Sequence, residues 1–195
     1  LGNWLYVGVC QDLGLLRTAY AWSCGTGLPA ILETDFVFAH LGVARRVRGP
    51  AFQVPARWPA ASVVSGFVMM ARVALLPRYC FPLVWVGIVL ILDPVLYHMD
   101  KEASFLGQAS RGSYQRLIRL MLAGLSCGVL WEFWNYWSGA KWIYNIPFFN
   151  QWKVFEMPLP GFLGFMPFAL ECYLLWELFR LARKTPAFTD RRYQA

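Results

Sequence analysis

Four polar residues interrupt otherwise apolar stretches of this 195-residue sequence: Arg72, Glu132, Asn135 and Glu171. An ionisable side chain inside such a run is costly unless it is paired or used, so each is a candidate for chemistry. Gly124, Gly128 and Glu132 recur every four residues and share one helix face, and Asn135 lies three residues further on, close to it. Small residues four apart let a second helix approach closely, which predicts that Glu132 meets protein rather than lipid. Arg72 and Glu132 each lie five residues from the outer end of their segments, so pairing them would remove two isolated charges from hydrocarbon. One guanidinium for an anionic head group and two carboxylates for proton transfer would together furnish an outer-leaflet polar pocket. An ion pair or polar clamp within a helix bundle is the plainer expectation for the same residues, and it outweighs the pocket. Glu171 follows Pro167 by four residues, near the middle of the last apolar run. Because proline frees a backbone carbonyl, Glu171 reads first as a protonated carboxyl donating to a carbonyl, and second as a proton or head-group ligand.

Other constellations are incomplete. Glu33, Asp35, Asp93, His98, Asp100 and Glu102 fall near helix ends, but with no HxxxH, HxxE or DxxxD spacing no metal site is expected. Asp93 before Pro94 reads as a helix terminator. Five scattered cysteines without a CxxC pair argue against a disulfide framework and a zinc site, leaving them as small hydrophobes. There is no Gly-rich phosphate loop and no GxSxG elbow. The sequence specifies no cofactor. Glu156, with Lys141 and Lys153, reads as interfacial and solvated.

The elements that must position these residues read as membrane segments. The chain is 58% hydrophobic with a mean hydropathy of +0.42, above what a soluble domain shows. One integral membrane domain over 1–195 is expected: an all-α polytopic bundle of about five helices, at 13–32, 60–77, 81–97, 118–137 and 161–179. The first is the weakest, since it carries Arg17 and is interrupted by Gly25, Gly27 and Pro29. From Trp131 to Phe155, eleven of twenty-five residues are aromatic. This stretch predicts an outer-face loop or short β-hairpin over 138–160, with Trp131, Trp134, Trp137, Trp142 and Trp152 as an interfacial belt.

With the C-terminus cytoplasmic, thirteen Lys or Arg fall on inside connectors and the tail, against Arg78, Lys141 and Lys153 outside. That asymmetry orients the chain with its N-terminus outside. The net charge of +7 is spread over short connectors and forms no basic helix face, which speaks against nucleic acid as a partner. The chain starts at Leu1, so its N-terminus is expected to be processed or incomplete, and residues 1–20 lack the order of a signal peptide.

Four stretches carry a resemblance: Arg78-Tyr-Cys-Phe-Pro-Leu-Val-Trp, Leu92-Asp-Pro, Trp131-Glu-Phe-Trp-Asn-Tyr-Trp and Phe155-Glu-Met-Pro-Leu-Pro-Gly-Phe-Leu-Gly-Phe. Over about residues 78–176 the chain resembles an uncharacterised family of bacterial multi-pass membrane proteins. The resemblance implies the bacterial inner membrane and brings no activity or catalytic residue with it. The short chain, its small-residue faces and the missing catalytic constellation lead to an expected role as a non-catalytic subunit. Its partners would be membrane lipid and other subunits of a larger assembly, bioenergetic assemblies included. The alternative is a small membrane enzyme or a lipid- or isoprenoid-binding protein using Arg72, Glu132, Asn135 and Glu171. Transport ranks third, because five helices without an internal repeat make a poor alternating-access machine.

Overall fold

The computed structural model describes residues 4–7, 13–144, 146–147 and 149–183. In chain order it has β1 (Trp4–Val7), α1 (Leu13–His40), α2 (Trp58–Leu75), the four-residue α3 (Pro77–Cys80) and α4 (Leu83–Met99). The short α5 (Phe105–Ser110) and α6 (Gln115–Trp137) come next, then β2 (Lys141–Tyr144), β3 (Lys153–Val154) and β4 (Met157–Pro158). A 3-10 turn over Leu159–Gly164 runs into α7 (Phe165–Ala182). The protein is mostly helical, but two small antiparallel sheets replace the all-α expectation.

Among the described residues, three stretches are long and apolar enough to cross a membrane: Trp58–Leu75, Gln115–Trp137 and Leu159–Ala182. α4 is apolar but only 17 residues long, short of the roughly 20 that a 30 Å hydrocarbon layer needs. α1 has length to spare at 28 residues, yet carries Arg17, Glu33 and Asp35. It also runs unbroken through Gly25, Gly27 and Pro29 and ends eight residues beyond the expected Leu32. Asp93 and Pro94 do not terminate a helix either, for α4 continues through both to Met99. The bias of a residue before proline is only a bias, and here the Asp93 carboxylate has a partner elsewhere.

Close backbone approach assembles the bundle. α2 packs against α4, which packs against α7, while α6 lies between α7 and α1. Gly66 and Gly87 face each other, and a Cβ on Gly66 would fall 2.7 Å from the Gly87 carbonyl oxygen. A Cβ on Gly124 would collide with the Phe165 carbonyl and with Ala169, and one on Gly128 would enter the Phe165 ring. The expected small-residue face is therefore real, and its occupant is α7 of the same chain. A core of Leu32, Leu96, Ala103, Leu120, Leu170, Tyr173 and Leu174 fills the space among α1, α4, α6 and α7.

One end of the bundle collects most of the described cations. There the connector after α1 lies along the turn before α6, with Arg48 bridged to Ser113. The Gly49 N–H donates to Gly112 O at 3.1 Å, and the Phe52 N–H to Ala109 O at 3.1 Å. The other end holds the α3 turn and the 3-10 turn, whose Gly164 approaches the Trp85 ring in the first turn of α4.

Gly124→Val should cost about 1–3 kcal/mol or more, because the obstacle is the Phe165 backbone rather than a side chain that can swing away. Gly27→Ala, with nothing within 4 Å of the added methyl, should cost nothing. Thermal unfolding of the two variants in mild detergent checks the contrast, and equal melting temperatures would contradict it.

Candidate functional site

Glu132 is fully buried, at 0% exposure, on the face of α6 that carries Gly124 and Gly128. Its Oε1 accepts a hydrogen bond from the Tyr144 hydroxyl at 2.9 Å, while its Oε2 is enclosed with no hydrogen-bond partner. Burial, and then the adjacent Glu132 carboxylate, push the Tyr144 phenol well above its ordinary value, so it stays protonated and donates. Three residues along, Asn135 takes the place of a neighbouring strand. Its Nδ2 donates to Trp142 O at 2.9 Å, and the Trp142 N–H donates to its Oδ1 at 2.7 Å. Two polar side chains of α6 thus hold β2 across the helix end.

β2 pairs with β1 in the register Trp4↔Tyr144 to Val7↔Lys141. The two aromatic runs of 138–160 do not pair with each other, and the short hairpin that lies within this stretch is β3–β4 instead. Lys153 donates its ammonium to Tyr144 O at 2.7 Å, and β3 folds back at once onto β4 through a two-residue turn in which Phe155 adopts φ 58°. β2 instead gives its backbone to β1, and β3 to β4. Glu156 is not simply solvated, since Lys141 pairs with it at 2.6 Å and also lies over the Tyr136 ring. Of the belt residues, Trp134, Trp137 and Trp152 are exposed, and Trp131 and Trp142 are half-buried.

The structure does not bring the four sequence candidates together. Arg72 is exposed on α2, and α2 packs against α4 rather than α6, so the expected Arg72–Glu132 pair is absent. Matching depth said nothing about which helices are neighbours. Glu171 lies six residues past Phe165, towards the cationic end, whereas Glu132 lies beyond Gly128 towards the opposite end. Glu171 is half-buried, its Oε2 has no hydrogen-bond partner, and Leu175 on the next turn is exposed.

A second polar cluster, at the cationic end, was not anticipated. Arg119 grips Asp35 with two hydrogen bonds, at 2.7 and 3.2 Å. Arg180 pairs with Glu177 at 2.7 Å and with Asp100 at 3.3 Å. Arg116 donates to the Tyr173 hydroxyl at 2.6 Å, which in turn donates to Ala103 O at 3.0 Å. The Asp93 carboxylate accepts the N–H groups of Phe105 and Leu106 at 2.6 and 3.0 Å, and Ser104 Oγ accepts that of Gly107 at 2.9 Å, so together they cap α5. The signals available were the three-residue spacings Arg116–Arg119 and Glu177–Arg180, which put each pair on one helix face.

This cluster clamps α1, α4, α5, α6 and α7 together and leaves little to react. Among the described residues no three His, Cys, Asp or Glu side chains gather closely enough to hold a metal ion. Among the described residues, Glu132 and Glu171 are the carboxyls with a buried oxygen that has no hydrogen-bond partner. Comparison with family models, with curated proteins and with solved structures returned no match.

Tyr144→Phe leaves a buried carboxyl without its donor and should destabilise by about 1–3 kcal/mol. Ionising this phenol costs more in the folded chain than in the unfolded one, so stability should fall as pH rises past the ordinary phenol value of 10.0. Tyr144→Phe should make that alkaline decline shallower, which unfolding curves between pH 8 and 11 read directly. For the clamp, Arg119→Met strands the Asp35 carboxylate and should cost about 3–5 kcal/mol, and adding Asp35→Leu should recover much of the loss. Strictly additive singles would mean the two groups are not coupled.

Proposed function

We propose that the chain is a multi-pass integral membrane protein of the bacterial inner membrane, serving as a non-catalytic subunit of a larger membrane assembly. In this reading all five long helices lie in the membrane, with the N-terminus outside and the C-terminus in the cytoplasm. Packing supports including the two helices less suited to span. α4 lies between α2 and α7, and α1 lies along α6, so both are flanked by apolar helices of bilayer length.

Glu171 carries the subunit reading. Its carboxyl is half-buried on an apolar helix, with one oxygen enclosed and unpaired and with exposed Leu175 on the next turn, a costly group to leave beside lipid. A neighbouring subunit seated over Leu175 would keep lipid from that face. The small-residue face of α6 lends no support, because α7 already occupies it. A second reading, a lipid- or isoprenoid-binding protein, draws on the polar Glu132–Tyr144 pair at that end of α6.

Native mass spectrometry after extraction in mild detergent separates the two. A co-purifying membrane protein that is lost in Glu171→Leu, with the chain's own melting temperature unchanged, is the expected result. A partner-free chain holding one lipid that Glu132→Gln releases would replace the subunit reading with the lipid-binding one.

A further inference from the structure

The cations gathered at one end of the bundle fall into two groups that the sequence does not distinguish. Arg180 is buried and Arg119 half-buried, each in an ion pair, and Arg116 is bound to Tyr173. Arg45, Arg46, Arg48, Arg57 and Arg111 are exposed, and no ion pair joins them to a described carboxylate. Of the carboxylates at that end, Asp35, Asp100 and Glu177 are engaged by Arg119 and Arg180 and Asp93 caps α5, while Glu33 and Glu102 stand exposed.

The exposed arginines do not hang from a free loop. Their connector is laid along the turn before α6 by the Arg48–Ser113 bridge and the Gly49 and Phe52 backbone bonds. Gln115 Nε2 donates to Arg45 O at 2.6 Å, and the Tyr114 hydroxyl donates to Pro50 O at 3.2 Å. Gly112, at φ 70°, lets the two strands of chain touch, since a Cβ there would meet Gly49 O at 2.5 Å. The bridge sets Arg48 opposite Ser113, two residues along the facing segment from Arg111.

The depth of this ledge is set by α2. Arg57 immediately precedes Trp58, which is 45% exposed in the first turn of a membrane-length helix and lies 4.8 Å from the Phe52 ring. An aromatic pair at such a helix start sits where hydrocarbon gives way to head groups. Guanidinium groups bind phosphate through two parallel hydrogen bonds, and a backbone fixed in advance loses less freedom on binding.

We propose that the ledge of residues 45–57 and 108–114 is a docking surface for the phosphate head groups of anionic phospholipid. The proposal rests on the membrane reading but not on the subunit role. It is tested on the whole chain in mild detergent, titrated with phosphatidylglycerol or phosphatidylcholine and followed by native mass spectrometry and thermal unfolding. Phosphatidylglycerol should be retained and should raise the melting temperature, and phosphatidylcholine should not. Combining Arg45→Gln, Arg46→Gln and Arg48→Gln should weaken phosphatidylglycerol binding by about fivefold per arginine, on the order of 100-fold in all. Arg57→Gln with Arg111→Gln should weaken it in the same direction, and Arg78→Gln, at the opposite end, should leave it unchanged. Undiminished binding in both multiple variants, or equal weakening by Arg78→Gln, overturns the proposal. Inorganic phosphate that stabilises the chain as well as the lipid does would also overturn it, assigning the arginines to a soluble anion. A chain that stays monodisperse without detergent would instead remove the membrane reading, a result seen before any lipid is added.

Discussion

Where α6 carries Gly124 and Gly128, the first turn of α7 lies against bare backbone, and the register imposed there decides where each later residue of α7 arrives. Leu170 and Leu174 enter the core beside Leu96 and Leu120. Tyr173 reaches both Arg116 and Ala103, and Arg180 reaches Asp100. A helix held 1 or 2 Å further out could not make these contacts together, because hydrogen bonds weaken steeply beyond about 3.2 Å. In the other direction the same face of α6 delivers Glu132 and Asn135 to β2. Two missing methyl groups thus coordinate polar clusters at both ends of the bundle.

Much of this was legible in the sequence at the level of helices and faces. The apolar runs fall on the long helices, and the spacing of Gly124, Gly128, Glu132 and Asn135 correctly marks a buried face. What failed was partner choice. Glu132 was matched to Arg72 by depth, but lateral order in a bundle is set by packing, and the nearer donor came from β2. The partner of β2 lies far away in sequence, at Trp4–Val7, so no local pattern announced it. Asp93 beside Pro94 looks like a helix terminator, whereas its carboxylate caps a helix that begins twelve residues later.

The cationic end shows why counting charges is a coarse instrument. All the arginines there entered one tally, yet those turned inward and those turned outward obey different physics. Inward arginines have shed their water against carboxylates and a phenol, so added salt reaches them little and losing one strands its partner. Outward arginines remain hydrated, and their interactions fade over a Debye length of about 8 Å at physiological ionic strength. The first group holds the helices to one another, and the second is free to act on whatever lies outside the bundle.

The antiparallel ladder between β1 and β2 joins the first described residues to the stretch that follows α6. During synthesis the backbone groups of Trp4 have no strand to pair with until Tyr144 has emerged. At about 5–20 residues per second that interval is roughly 7–30 seconds. An unpaired strand edge is open to other chains for that long, and it closes only after α1 to α6 have been made. The ladder is therefore a late fastening, completed once most of the bundle exists, and its formation reports that the two distant parts of the chain have reached the same end of the molecule.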